Sequence, residues 1–164
     1  MDRTGQTLAG YKLVGVLGRG GMGVVYRGVQ PGLDRQVAVK VLTNVSGRTS
    51  DDVQRFKRES TLLGVISHPG VVKILDVGFD QDQHFLVMDL VAHPTLSDII
   101  PNVDGLGACL PEDRALTLTA SLLDALSAVH EQGVLHRDVK PSNIFVTPED
   151  TVILSDFGLA KLAS

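Results

Sequence analysis

Eight consecutive residues, His136-Arg137-Asp138-Val139-Lys140-Pro141-Ser142-Asn143, hold a carboxylate, an ammonium and an amide. Those are the groups for acid–base and charge-stabilising chemistry. Pro141 disfavours a helix there. The apolar flanks Gly133-Val134-Leu135 and Ile144-Phe145-Val146 read as two short strands with the polar loop slung between them. Such loops are where catalytic side chains sit on a rigid scaffold. Far upstream, Gly18-Arg19-Gly20-Gly21-Met22-Gly23 follows Leu17 and leads into Val24 and Val25. Glycines at that spacing let main-chain amides approach phosphate oxygens with no Cβ in the way.

Two further residues belong with these. Lys40 stands at the end of Val37-Ala38-Val39-Lys40, inside an apolar strand pattern. Glu59 falls on the apolar stripe Val53, Phe56, Leu63, Ile66 of a helix expected over Val53–Ile66, with Asp51 or Asp52 as its cap. A carboxylate on such a stripe is costly unless paired, and Lys40 is a suitable partner. Asp156-Phe157-Gly158 comes thirteen residues after Asn143, behind an expected hairpin.

The elements that must position these groups change character along the chain. Residues Met1–Gly10 are a polar lead-in. Strands are expected over Tyr11–Leu17, Val24–Val29, Gln36–Leu42, Val71–Gly78 and His84–Val91, the last two joined by the turn Asp80-Gln81-Asp82-Gln83. With the helix between the third and fourth strands, they make a small antiparallel sheet carrying a helix on one side. Beyond a boundary near Leu90–His93 the pattern turns helical: a short helix in Pro94–Ile100, a loop over Pro101–Pro111, and a long helix Glu112–Gln132 ended by Gly133. Ala115–Val129 carries one charge, Asp124, so that helix belongs in a core. Short strands Ile144–Thr147 and Val152–Leu154 follow.

Composition narrows the classes. The chain has 164 residues, 43% of them hydrophobic, enough for one domain or two small lobes with a packed core. A net charge of −4 without a basic patch speaks against nucleic acid as partner. Cys109 is the only cysteine, so no internal disulfide forms. No apolar run reaches the length of a membrane span, and the first residues are too polar for a signal peptide. The cytoplasm is the expected location, which leaves open an anchor further along. The five histidines show no zinc-ligand spacing.

Taken in order, Gly18-x-Gly20-x-x-Gly23-x-Val25, Val-Ala-Val-Lys40, Glu59, His-Arg-Asp138-x-Lys140-x-x-Asn143 and Asp156-Phe-Gly resemble the five motifs of the protein kinases. The dinucleotide-binding turn is the rival for the glycines. It runs strand, glycines, helix, whereas Val24–Val29 reads as a strand. Gly-Gly-Met-Gly and Lys140 narrow the resemblance to bacterial-type serine/threonine protein kinases, covering Tyr11 to about Lys161. The implied fold is α+β and bilobal: a five-stranded antiparallel N-lobe with one helix over residues 11–91, and an incomplete, mainly helical C-lobe over 92–164.

The resemblance implies roles. ATP and Mg²⁺ are the expected cofactors, and a protein with a Ser/Thr acceptor is the expected partner. Asp138 would accept or orient the proton of the attacking hydroxyl, and Lys140 would neutralise the transferred phosphate. Asn143 and Asp156 would hold magnesium; two oxygen ligands suit a metal that takes the rest from ATP and water. The loop from Gly18 to Val24, Arg19, Gly20, Gly21, Met22 and Gly23 included, would cover the phosphates. Lys40, held by Glu59, would reach them from the third strand. Leu17, Val25 and Ala38 would sandwich the adenine above Phe145, with Met88 at the back and Asp89–Val91 offering main-chain hydrogen bonds. Leu63, Ile74, His136 and Phe157 would stack as a spine.

Two departures accompany the match. Ala92-His93-Pro94 stands where the family often has Glu-Gly-Gly, and the sequence stops six residues after Gly158 with no activation segment and no Ala-Pro-Glu. The expectation is therefore the N-terminal part of a kinase domain, with a catalytically silent ATP-binding module or a non-functional partial gene product as the alternatives.

Overall fold

The computed structural model describes residues 2–20, 23–42, 64–100 and 109–157. The expected helix from Val53, together with Gly21, Met22, Glu59, Leu63 and Gly158, lies outside them except for its last residues. Two compact units form. The first takes the described residues up to Val65 and Lys73–Leu90; the second takes Ile66–Val72 and those from Val91 on.

The first unit is an antiparallel sheet. Its strands are β1 (Thr7–Leu8), β2 (Tyr11–Gly20), β3 (Gly23–Val29), β4 (Gln36–Leu42), β5 (Ile74–Asp80) and β6 (Gln83–Asp89), in the order β1-β2-β3-β4-β6-β5. All five expected strands form, and the lead-in adds a sixth of two residues. Period-2 alternation divides the faces. One face packs Leu13, Tyr26, Val37, Val39, Val41, Phe85 and Val87 into a core, with Leu8 and Tyr11 joining from the edge. Tyr11 also donates its hydroxyl to Asp76 Oδ2 at 2.9 Å, and burial together with that carboxylate pushes the phenol up to about 12.

Two-residue turns at Ala9-Gly10 and Gln81-Asp82 have positive φ at both positions, the geometry that matches strand twist. They also meet. Ala9 N donates to Asp80 at 2.7 Å, Arg3 donates to the Gln81 side-chain oxygen at 3.0 Å, and Gln81 donates to the Thr7 carbonyl at 3.2 Å. The lead-in is thus part of the fold. It joins β1 at one edge to the β5–β6 hairpin at the other.

The second unit is built on two helices and a hairpin. Helix α1 is Leu96–Ile99, capped reciprocally by Thr95 and Asp98. Helix α2 is Glu112–Glu131, and its last turn closes on Gly133 at φ +71. Strands β7 (Ile144–Val146) and β8 (Val152–Leu154) pair antiparallel. Leu118, Ala125 and Val129 form the buried stripe of α2, and Ser121 Oγ accepts from Val152 N at 3.0 Å.

Four expectations change. The strand expected from Val71 begins at Ile74, because Val71 and Val72 join the second unit, where Val72 N donates to the Leu154 carbonyl at 2.9 Å. Gly133–Leu135 is not a strand. Pro141–Asn143 is a 3₁₀ turn with Pro141 in its first positions, where a missing N–H costs nothing. Finally, α2 is not apolar-buried all round: Leu116 and Leu123 are 62% and 61% exposed.

Candidate functional site

Strand register decides which expected residues of the sheet share a face. Residues directly opposite in an antiparallel pair point to the same side. Val25 stands opposite Lys40, Lys40 opposite Leu86, and Ala38 opposite Met88. Val25, Ala38, Lys40 and Met88 therefore lie together on the face away from the Tyr26–Val39–Val87 core. Leu86 belongs to this group and was missed; its signal was the alternation with Met88 two residues on. Val24 does not belong. It pairs with Val41 and packs against the core cluster. Leu17 falls at a bulge between Val16 and Gly18 and is exposed.

Lys40 is only 6% exposed, though a lysine in a strand usually faces water. A charge so placed demands compensation. The expected partner, Glu59, is outside the described residues.

The glycines separate into two kinds. A Cβ at Gly18 or Gly20 would meet nothing within 4 Å, so those positions have open space beside them. A Cβ at Gly23 would lie 2.1 Å from the Val41 carbonyl oxygen. Gly23 is thus required by β4 itself. Gly20 pairs with Gly23, so the turn is shorter than the six residues expected. Arg19, beside them, pairs with Asp2 at 3.1 Å.

Where β6 ends, Asp89 is held twice. Its N–H donates to the Lys73 carbonyl at 3.0 Å, and its carboxylate accepts from Arg35. Its N–H is therefore committed within the sheet. Any adenine contact at this residue falls to the carbonyl.

In the second unit the loop His136–Asn143 is fixed from several sides. His136, 2% exposed, has Nε2 at 2.8 Å from the Ser155 carbonyl, while its Nδ1 accepts from Asp138 N at 3.3 Å. A carbonyl can only accept, so His136 carries its proton on Nε2. Burial holds its pKa below the ordinary value, against the Ser155 hydrogen bond and the carboxylates of Asp138 and Asp156. Its ring packs against that of Phe157, with centroids 4.7 Å apart and planes tilted by 44°. Of the expected spine this pair is seen; Leu63 is outside the described residues, and Ile74 belongs to the other unit.

Asp138, Lys140 and Asn143 form one hydrogen-bonded group. Lys140 Nζ reaches Asp138 Oδ2 at 2.8 Å, and Asn143 Nδ2 reaches the same oxygen at 3.0 Å. Both bonds end on Oδ2, which leaves Oδ1 for an incoming donor. The Lys140 hydrogen bond, with Asn143 adding to it, holds the Asp138 carboxyl below its ordinary range, and Asp138 in turn raises Lys140. Ser155 closes the structure: its N–H and Oγ donate to the Asn143 carbonyl at 2.9 and 3.2 Å. Nothing in the sequence marks Ser155 except its place before Asp156.

Arg137 and Asp156 both adopt left-handed backbone, at φ 63. Strained non-glycine residues of this kind gather at functional sites. The donors fit magnesium. Asn143 spends its Nδ2 on Asp138, so its amide oxygen would be the ligating atom, and Asp156 would add a carboxylate. Both are hard oxygens. Among the described residues no three His, Cys, Asp or Glu side chains gather as a metal site. Phe145, in β7, is half-buried and bridges to Thr95.

Comparison with known proteins bears on both units. The protein kinase domain family matches residues 11–164. A Clostridium perfringens protein named a probable serine/threonine-protein kinase is 41% identical over 151 residues, covering 92% of this chain and 22% of its own. Serine/threonine-protein kinase PknK of Mycobacterium tuberculosis is 43% identical over 157 residues, covering 94% of this chain and 14% of its own. The chain thus spans less than a quarter of these relatives' length. Among solved structures, a double mutant of the Mycobacterium tuberculosis PknI kinase domain superposes with a TM-score of 0.84 at 31% identity, covering 97% of this chain and 62% of that one.

Proposed function

Since the chain belongs to the protein kinase domain family, with bacterial serine/threonine kinases as its relatives, we propose that the protein transfers the γ-phosphoryl group of ATP to serine and threonine hydroxyls of other proteins. The observation that carries this is the closed group of Asp138, Lys140 and Asn143.

In this reading Asp138 Oδ1 receives the acceptor hydroxyl and aims its oxygen at the γ-phosphorus. A carboxylate held below its ordinary range is a weak base. It orients the hydroxyl first and takes the proton late, when the oxygen has become acidic by bonding to phosphorus. This suits a loose transition state in which positioning contributes most. The Lys140 ammonium, bonded to Asp138, lies beside the same oxygen and neutralises charge on the transferred group. Asn143 and Asp156 would hold magnesium, which would screen the phosphate charges. From the sheet, Lys40 meets the α- and β-phosphates, Gly18 and Gly20 lend main-chain N–H groups, and Val25, Ala38 and Met88 enclose the adenine with Leu17 and Phe145. Val91 and the Asp89 carbonyl meet the adenine edge. Use of ATP supports a cytoplasmic location for this domain. Among the described residues no helix is long and apolar enough to cross a membrane.

The test is phosphate transfer from γ-labelled ATP to a generic protein substrate by the full-length protein, followed by phosphoamino-acid analysis. Label on serine or threonine, dependent on Mg²⁺ and weaker in Mg²⁺ response for Asp156→Asn, is the expected result. ATP binding with no transfer under any condition would leave a nucleotide-binding module instead.

A further inference from the structure

The pair Arg35–Asp89 connects two parts of the sheet that are 54 residues apart in sequence. Arg35 belongs to the β3–β4 connection, the loop Gln30–Arg35, closed by Gln30 N donating to the Arg35 carbonyl at 2.9 Å. Asp89 is the last residue of β6 and stands opposite Val37 on β4. Its position is over-determined: strand pairing on one side, the Lys73 carbonyl on its N–H, the Arg35 guanidinium on its carboxylate. Beyond it the ladder stops, so the chain direction leaving the sheet is set at this residue. The motifs assign Arg35 nothing.

We infer that Arg35 is a positioning residue for the adenine base, acting through the Asp89 carboxylate to fix the main chain that meets the base edge. The inference rests on the nucleotide-binding reading above. A main-chain hydrogen bond to a base is directional and weakens when the carbonyl rotates. Holding Asp89 by its side chain restricts that rotation. The guanidinium makes no demand on the phosphates, so its effect belongs to the base alone. The pair is partly exposed, so the effect is modest.

The experiment compares three probes on the full-length protein: ATP as substrate, adenosine as a competitor that has the base without phosphates, and tripolyphosphate as a competitor that has phosphates without the base. Arg35→Gln should raise the KM for ATP and the adenosine inhibition constant together, by about 2- to 5-fold. The tripolyphosphate constant and kcat should stay put. Asp89→Asn should weaken adenosine to a similar degree, and the double variant should be no weaker than either. Arg35→Lys, which keeps the charge, should recover part of the loss. Three results would overturn the inference: an unchanged adenosine constant in Arg35→Gln, equal weakening of both competitors, or additive losses in the double variant. An unaltered protein that binds neither ATP nor adenosine would remove the nucleotide reading and this inference with it.

Discussion

Asn143 Nδ2 donates to Asp138 twice, to the main-chain carbonyl at 2.8 Å and to carboxylate Oδ2 at 3.0 Å. One amide thereby fixes both the backbone and the side chain of the residue five positions before it. The carboxylate cannot swing without breaking a bond to a buried partner, and its second oxygen keeps a constant direction.

Replacing Asp138 by Asn should therefore separate chemistry from binding. The amide keeps the shape but cannot take a proton or hold Lys140 by charge. Turnover should fall by about 10²- to 10⁴-fold, while ATP affinity by titration stays close to that of the unaltered protein. A folded variant that no longer binds ATP would show Asp138 touching the nucleotide.

Lys140 should set the acid limb of the pH–rate profile. Asp138 titrates below its ordinary 3.8, chiefly because Lys140 donates to it. Its contribution to stability is complete above that ordinary value and is lost as pH falls through the depressed one. Lys140, raised above 10.5, contributes below 10.5 and loses that as pH rises through its raised value. In Lys140→Ala the Asp138 carboxyl should move upward, and the acid limb of kcat/KM with it. An unmoved limb would place the titrating group elsewhere.

His136 predicts a pH effect on folding instead of rate. Its folded pKa lies below the ordinary 6.5 because it is buried. As pH falls through 6.5 the unfolded chain gains a proton that the folded chain refuses, so stability drops until the depressed value is passed, and then levels. Thermal melts across pH 5–8 (about the histidine range) should show this slope, and His136→Asn should flatten it. A slope unaffected by that substitution would locate its origin at another group.

The glycine loop offers a graded test. Gly23→Ala drives a Cβ into the Val41 carbonyl and should cost about 1–3 kcal/mol of stability. Gly18→Ala and Gly20→Ala meet open space and should melt normally. If the amides there contact phosphate, those two variants should still weaken ATP. Normal melting of Gly23→Ala would mean that β3 and β4 separate at no cost.

Much of the architecture was legible because strand alternation and turn residues are local signals. β4 starts and stops where its β-branched run does, and Gly133 ends α2 as its sequence position indicates. What escaped is what neighbours decide. Val71 and Val72 look like the start of β5, yet the partner that claims them is Leu154, more than 80 positions away. Pro141 has the sequence character of a helix breaker, but the first positions of a 3₁₀ turn tolerate it. Thr7–Leu8 is too short to register as a strand. Leu116 and Leu123 continue the apolar pattern of α2, and only the packing of Leu118, Ala125 and Val129 shows which stripe is buried. At the site, the motif residues announce themselves. Ser155 and Arg35 do not, because their contacts are made in three dimensions with residues distant in the sequence.

The link between the lead-in and the Gln81-Asp82 turn also sets a timetable for the newborn chain. Arg3 finds its partner Gln81 only after 78 further residues have been made. At ordinary elongation speeds that is a wait of roughly 4–16 s. Throughout it β4 lacks its partner β6, so the sheet has an open edge on which another nascent copy could add a strand. A ribosome pause before β6 has emerged lengthens that exposure, and one after its emergence does not. Synonymous codons read before and after the emergence of β6 should therefore differ in their effect on how much of the protein emerges soluble.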